Sequence, residues 1–256
     1  MNFVEAISKE NNFKMKPLIV ITGASSGFGA EMAKMFNAQK HALLLIARRV
    51  DKIKALPLDF TNVRVASADV TDRVALKAAI DQAVAEFGPV DLLVNNAGVM
   101  LLGNVTSQDP DQWQQMLNVN VMGVLNGMQI VLPDMIARKS GTIINISSLA
   151  GKKTFVNHAA YVASKFGVHG LSETIREEVS GHNVRVAMVA PGAAETELLG
   201  HTTDTQAIKD YDGWKQTMGG VTLDPKHVAE AVSFIYEMPQ SVNVREIDIA
   251  ATRQDS

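Results

Sequence analysis

The strongest constraint on the fold lies near the front of the chain, where Leu18-Ile19-Val20-Ile21-Thr22 runs straight into Gly23-Ala24-Ser25-Ser26-Gly27-Phe28-Gly29. Four consecutive apolar residues, three of them β-branched, suit a strand buried on both faces, the environment of a parallel sheet. Glycines at G-x-x-x-G-x-G spacing end the strand, and residues 27–39 read as a helix. Such a turn leaves the first N–H groups of the helix, and the positive end of its dipole, beside a backbone with few side chains in the way. An anionic group such as a pyrophosphate fits there. A glycine turn alone is a weak signal; between a buried strand and a helix, at the head of an alternating pattern, it is a strong one.

The alternation persists along the chain. Strands are expected at 18–22, 42–46, 63–66, 92–95, 141–146, 184–189 and 246–249, and helices at 27–39, 73–87, 110–138, 159–180 and 225–236. This predicts an α/β domain with a seven-stranded parallel sheet and helices on both faces. Asp109-Pro110 and Asp224-Pro225 each supply an N-cap followed by a first-turn proline, and Gln112 adds a capping-box residue. The 256 residues suit one domain of this kind, spanning 16–256. Residues 1–15 precede the first strand and read as a flexible extension, with Met15 a possible alternative start. The longest stretch without clear periodicity, 193–223, follows the sixth strand and carries Leu198, Leu199, Ile208, Tyr211, Trp214 and Met218. A loop there lies beyond the carboxyl ends of the strands, where ligands bind, and reads as a lid.

Composition narrows the function classes. A formal charge of −3 carries no basic excess of the kind a nucleic-acid surface needs. The chain has no cysteine, so disulfides and thiolate metal sites are excluded, in keeping with a reducing, cytoplasmic setting. Its six histidines show no metal-ligand spacing. No uninterrupted apolar run is long enough for a membrane span, and the first residues lack the apolar segment of a signal peptide.

The chemistry concentrates in Tyr161-Val162-Ala163-Ser164-Lys165 and in Ser148, thirteen residues before the tyrosine. Tyr161 and Lys165 are four apart and share one face of a helix. A phenol titrating near 10 is a poor acid–base group at neutral pH, and an ammonium one turn away lowers that value. Ser148 is placed to donate a hydrogen bond to the same substrate oxygen. Asn118 and Ser147 are the decoys, and Asn145 lies inside a strand and reads as structural.

Taken in order, Thr22-Gly23-x-x-x-Gly27-x-Gly29, Asp69-Val70, Asn95-Asn96-Ala97-Gly98, Asn120, Ser148, Tyr161-x-x-x-Lys165 and Pro191-Gly192 resemble the short-chain dehydrogenase/reductase family from about residue 16 to 251. The resemblance implies a doubly wound Rossmann fold and a nicotinamide cofactor. It implies that Tyr161 is the acid–base group, that Ser148 assists it, and that Lys165 also holds the nicotinamide ribose. Asn120 would hold a water linking Lys165 to solvent. Gly23, Ser25, Ser26, Gly27, Phe28 and Gly29 would cradle the phosphates. Asp69 would bind the adenine amino group with Val70 beside it, Asn96, Ala97 and Gly98 would pass near the adenine ribose, and Pro191, Gly192 and Thr196 would hold the nicotinamide end.

Where NAD-preferring members place an acid after the second strand, this chain has Ala47 followed by Arg48 and Arg49. A guanidinium binds a 2′-phosphate that a carboxylate would repel, so the resemblance points to NADP(H). Thr22 to Gly29, Ala47-Arg48-Arg49 and Val242-Asn243-Val244-Arg245-Glu246-Ile247 resemble the NADP-dependent 3-hydroxy-acid (serine-type) dehydrogenases, with general carbonyl reductases near them. Met100, Leu101, Leu102 and Phe155 favour the latter through an apolar pocket wall, whereas Lys152 and Lys153 would border the pocket as carboxylate partners. Family members that bind NADP without turnover commonly lose the tyrosine or the lysine, and both are present here. A small carbonyl or hydroxy substrate is implied. So is a homotetramer or homodimer paired through the helices at 110–138 and 159–180, the first of which has more apolar surface than one sheet-facing stripe needs.

Overall fold

The computed structural model describes residues 16–254. The expectation for residues 1–15 lies outside them. Seven strands form one parallel sheet: β1 (Lys16–Thr22), β2 (His41–Ala47), β3 (Val63–Ser67), β4 (Val90–Asn95), β5 (Thr142–Ile146), β6 (Arg185–Pro191) and β7 (Glu246–Ile249). Their order is β3-β2-β1-β4-β5-β6-β7. The chain builds outward from β1 in one direction, then returns to β1 and builds the other way from β4. In such sheets the crevice at the reversal, beyond the carboxyl ends of β1 and β4, is where ligands bind.

The helices connecting these strands are α1 (Gly27–Ala38), α2 (Val50–Lys54), α3 (Arg73–Phe87), α4 (Pro110–Leu117), α5 (Gly123–Arg138), α6 (Ala159–Val179), α7 (Thr205–Thr217) and α8 (Pro225–Glu237). Alternate side chains of the strands feed two cores. Leu18 and Val20 of β1 join Leu44, Leu76, Met128 and Val168 on one face. Ile19 and Ile21 join Leu43, Phe36, Val228 and Val232 on the other. A sheet packed on both faces has no polar face to alternate with, which is why β2 is buried at every residue. Buried polar groups inside it are paired: Asn145 accepts from Asn95 Nδ2 at 2.9 Å and donates to Ser172 Oγ at 2.8 Å, the structural role anticipated for it.

One expectation is corrected and one refined. The segment 193–223 is not a loop, since it contains a 3₁₀ helix, Glu197–His201, and then α7. Asp204 caps α7 by accepting from the N–H groups of Gln206 and Ala207. Ala207, Tyr211, Trp214 and Met218 recur at helical spacing, a stripe masked by the polar residues between them. The helix expected over 110–138 is continuous, but its centre widens into a π-helical turn, Asn118–Met122, between α4 and α5. By length and composition this run resembles a membrane span. Met116, Val124, Met128, Val131 and Met135 are nonetheless buried in the fold, which makes it a core helix.

Candidate active site

One cleft at the carboxyl end of the sheet collects every catalytic and cofactor-binding residue expected from the sequence except Gly29 and Asn120. Its floor at one end is the glycine turn. Gly23 has φ +68°, and a Cβ there would lie 2.8 Å from Ala97 Cα. Only glycine combines that backbone with that approach. The turn is held from outside: Asn96 Nδ2 donates to the carbonyls of Thr22 and Gly23 at 2.9 and 3.1 Å. Thr22 Oγ1 accepts from the N–H groups of Asn96 and Ala97 at 3.0 and 3.1 Å. Gly29 is a packing residue, since a Cβ on it would sit 2.3 Å from the Gly23 carbonyl oxygen. Ser26 stands at the N-cap of α1 without capping it through its side chain. The helix N-terminus therefore opens on the cleft with donors its own cap does not claim, as a phosphate site requires.

Beside the turn lies a cationic rim. Arg48 Nη1 is 3.9 Å from Asp69 Oδ2 and its side chain is largely exposed. Asp69 Oδ1 accepts from Thr71 N and Oγ1 at 2.9 and 2.8 Å, while Asp72 is the residue that caps α3. The carbonyl of Val70 accepts from Asn126 Nδ2 at 2.9 Å, and its side chain fills the space a Cβ on Gly123 would need. Arg49 is the more engaged arginine. Its Nη2 donates to Ser26 Oγ at 3.3 Å and to Glu197 Oε2 at 2.9 Å. Across the cleft, Gly192 N donates to Ile249 O, and Ala193 N to Gln254 Oε1, at 2.8 and 2.9 Å. Thr196 caps the 3₁₀ helix, accepting from Leu198 N at 3.3 Å, and packs against Gly27.

At the other end sit Tyr161 and Lys165, both buried on one face of α6. Lys165 Nζ donates to the Ile146 carbonyl at 3.0 Å and lies 5.7 Å from the centroid of the Tyr161 ring. Burial holds the lysine down at about 8, so its charge is only modestly secured at neutral pH. Burial also pushes the Tyr161 phenol above its ordinary range, an effect the hydrogen bond with Ser148 opposes and Tyr211 adds to. This corrects the expectation that Lys165 depresses the phenol. Burial is the first cause of the shift, because it disfavours the charged phenolate. Ser148 Oγ accepts from Ala150 N at 3.1 Å, which leaves its proton free to donate. Ser147 and Ser148 both line the cleft, and Ser148 is the one whose hydroxyl holds the phenol down against burial.

Asn120 lies in the π-helical turn, and its amide is committed to the scaffold. Its Oδ1 accepts from Val99 N at 2.8 Å, and Nδ2 donates to Val99 O at 2.9 Å and to Ser164 Oγ at 3.0 Å. The side chain ties the strand-end segment carrying Gly98 to the helix carrying Tyr161. Ser164 as its partner had no signal in the sequence beyond lying between the tyrosine and the lysine.

Lys152 does not border the cleft as expected. Its Nζ bonds both carboxylate oxygens of Asp248 at 2.7 Å and Glu246 at 3.0 Å, facing β7. Lys153 rests over the Phe155 ring. The wall beside Tyr161 is instead aromatic: Phe155, His158, Tyr211 and Trp214 form a closed ring of contacts with centroids 5.4 to 5.9 Å apart. His158 is held below its ordinary range by burial and so is neutral. Lys215, missed by sequence reading, lines the cleft and lies 5.5 Å from the centroid of the Tyr211 ring.

A parallel sheet reversing at β1, with its cleft at the strand ends, defines a Rossmann-like α/β domain. A family model described as short chain dehydrogenase matches residues 17–207. The chain is 36% identical over 248 residues to an uncharacterized oxidoreductase of Staphylococcus saprophyticus, covering 95% of this chain and 99% of that protein. It is 38% identical over 232 residues to glycine betaine reductase of Emericella nidulans, which covers 89% of this chain but only 18% of that longer protein. A solved serine dehydrogenase, in its closed form with NADP+, superposes with a TM-score of 0.85 at 30% identity, over 93% of this chain and 96% of that one. The chain belongs to the short-chain dehydrogenase/reductase family of oxidoreductases.

Proposed function

We propose that this protein is an NADP(H)-dependent carbonyl reductase, moving hydride between the nicotinamide and a ketone or aldehyde, or the matching secondary alcohol. The observation that carries the reading is the continuity of one cleft from the glycine turn and the Arg48–Arg49 rim to the Ser148–Tyr161–Lys165 group. The residues present fit the cofactor: a helix N-terminus free of its own cap, a turn only glycine can form, and arginines where an acid would exclude a 2′-phosphate. Gly23, Ser25, Ser26, Gly27, Phe28, Arg48, Arg49, Asp69, Val70, Asn96, Ala97, Gly98, Pro191, Gly192 and Thr196 would hold it, with Tyr161 and Lys165 at the nicotinamide end. When bound, it supplies or accepts the hydride.

The chain's own residues handle the proton and the developing charge. Tyr161, a phenol and so protonated at neutral pH, donates to the substrate oxygen in reduction and, as the phenolate, accepts from it in oxidation. Ser148, positioned by Ala150 N–H, donates a second hydrogen bond to that oxygen. Lys165 brings positive charge beside the phenol, and Asn120 fixes the spacing of Val99 and α6 around it. The aromatic wall excludes water and favours substrates with apolar or planar groups.

A second reading, a 3-hydroxy-acid (serine-type) dehydrogenase, draws support from the solved serine dehydrogenase and from Lys215 as a carboxylate partner. Oxidation of NADPH, and separately NADH, followed by absorbance across aryl ketones, aldehydes, simple ketones and 3-oxo acids tests both. Preference for NADPH with aryl ketones or aldehydes supports the first reading, and 3-oxo acids with their hydroxy acids in reverse would select the second. Tight NADPH binding without turnover on any carbonyl would turn the assignment toward a non-catalytic NADP-binding protein.

A further inference from the structure

Glu197 has no role in the chemistry above, yet its carboxylate lies at the phosphate end of the cleft. It opens the 3₁₀ helix immediately after Thr196, which packs against Gly27. One oxygen accepts from Arg49 at 2.9 Å and the other from Lys52 at 2.6 Å. Arg49 in turn donates to Ser26 Oγ. Arg49, one of the two arginines assigned to a 2′-phosphate, thus already holds an anion, and the chain itself supplies it. Lys52 and Arg49 keep the Glu197 carboxyl below its ordinary range, so it is ionised at neutral pH.

A phosphate arriving at the same cations brings close to two negative charges. It cannot sit beside an ionised carboxylate at hydrogen-bond distance without strong like-charge repulsion. We propose that Glu197 is a cofactor-specificity residue: a tethered anion that the 2′-phosphate displaces from Arg49 and Lys52. A dinucleotide lacking that phosphate leaves the carboxylate in place. The movement is confined, because Thr202 at the far end of the 3₁₀ helix stays anchored, donating to Met100 O at 3.2 Å and accepting from Leu102 N at 3.1 Å. The segment between carries Leu198 and Leu199, which pack with Tyr161 and Phe155, so the adenosine end of the cofactor is coupled to the substrate wall.

The inference rests on the NADP(H) reading, and its test separates the two. Wild-type protein and E197Q are titrated with NADPH and with NADH, following nicotinamide fluorescence. Exposed charge pairs shift an equilibrium by up to about fivefold each, so E197Q should bind NADPH about five- to tenfold tighter. Its NADH affinity should change by less than about twofold. Competition by 2′,5′-ADP should sharpen to the same degree, whereas that by 5′-AMP should not. An unchanged or weaker NADPH affinity, or an equal gain for both dinucleotides, overturns the role of Glu197 alone. Wild-type protein that fails to bind NADPH sinks the functional reading, and this inference with it.

Discussion

Replacing Lys165 by methionine isolates the cost of burying its ammonium. The side chain is almost wholly enclosed, and its titration falls from the ordinary 10.5 to about 8 in the folded protein. The unfolded chain binds the proton up to 10.5, so between pH 8 and 10.5 it holds more proton than the folded chain does. Stability linked to this lysine therefore rises with pH across that window, and the penalty is present in full below pH 8. At 1.36 kcal/mol for each pH unit, the interval from about 8 to 10.5 comes to roughly 3 kcal/mol. Lys165→Met removes the titration while keeping a flexible side chain of similar length, although the Ile146 carbonyl loses its donor. That loss does not vary with pH. The assay is urea unfolding of both proteins at intervals from pH 7 to 10.5. The free-energy difference, wild type minus variant, should grow by roughly 3 kcal/mol over that range, with most of the change above pH 8. Contributions from other groups, Tyr161 among them, cancel largely in the difference. Parallel stability curves would refute the argument that desolvation dominates this lysine.

Tyr161→Phe should lower turnover by at least about a thousandfold, since it removes the acid–base proton, while NADPH binding measured by fluorescence stays within about twofold. Asn120→Ala should cost about 3 kcal/mol in urea unfolding, because it strands the Val99 N–H and the Val99 carbonyl inside the fold and removes the donor to Ser164 Oγ. Gly23→Ala should abolish detectable NADPH binding, by forcing a Cβ toward Ala97 in a left-handed backbone, and lower the melting temperature measured by calorimetry. Leu117, Met122 and Phe166 are exposed on the helices around the π-turn and on α6, so light scattering should report a dimer or tetramer that L117E/F166E reduces to smaller species.

Local signals were enough to fix the fold class and the chemical nucleus. Leu18 to Gly29 specifies a buried strand, a turn only glycine can make and a helix, and each is decided by residues adjacent in the chain. Tyr161 and Lys165 share a helix face by spacing alone, and two Asp-Pro starts are visible as written. Other features depended on contacts across the chain. Lys152 looked like a pocket residue until β7 brought Glu246 and Asp248 to it. That Arg49 meets Glu197 was hidden until the 3₁₀ helix delivered that carboxylate, 148 residues later, to it. The direction of the Tyr161 shift turned on burial, which no neighbour in sequence reports. Residue type and spacing determined what chemistry the chain carries. Only the packed cleft decided which cation meets which anion, and which charges must do without water.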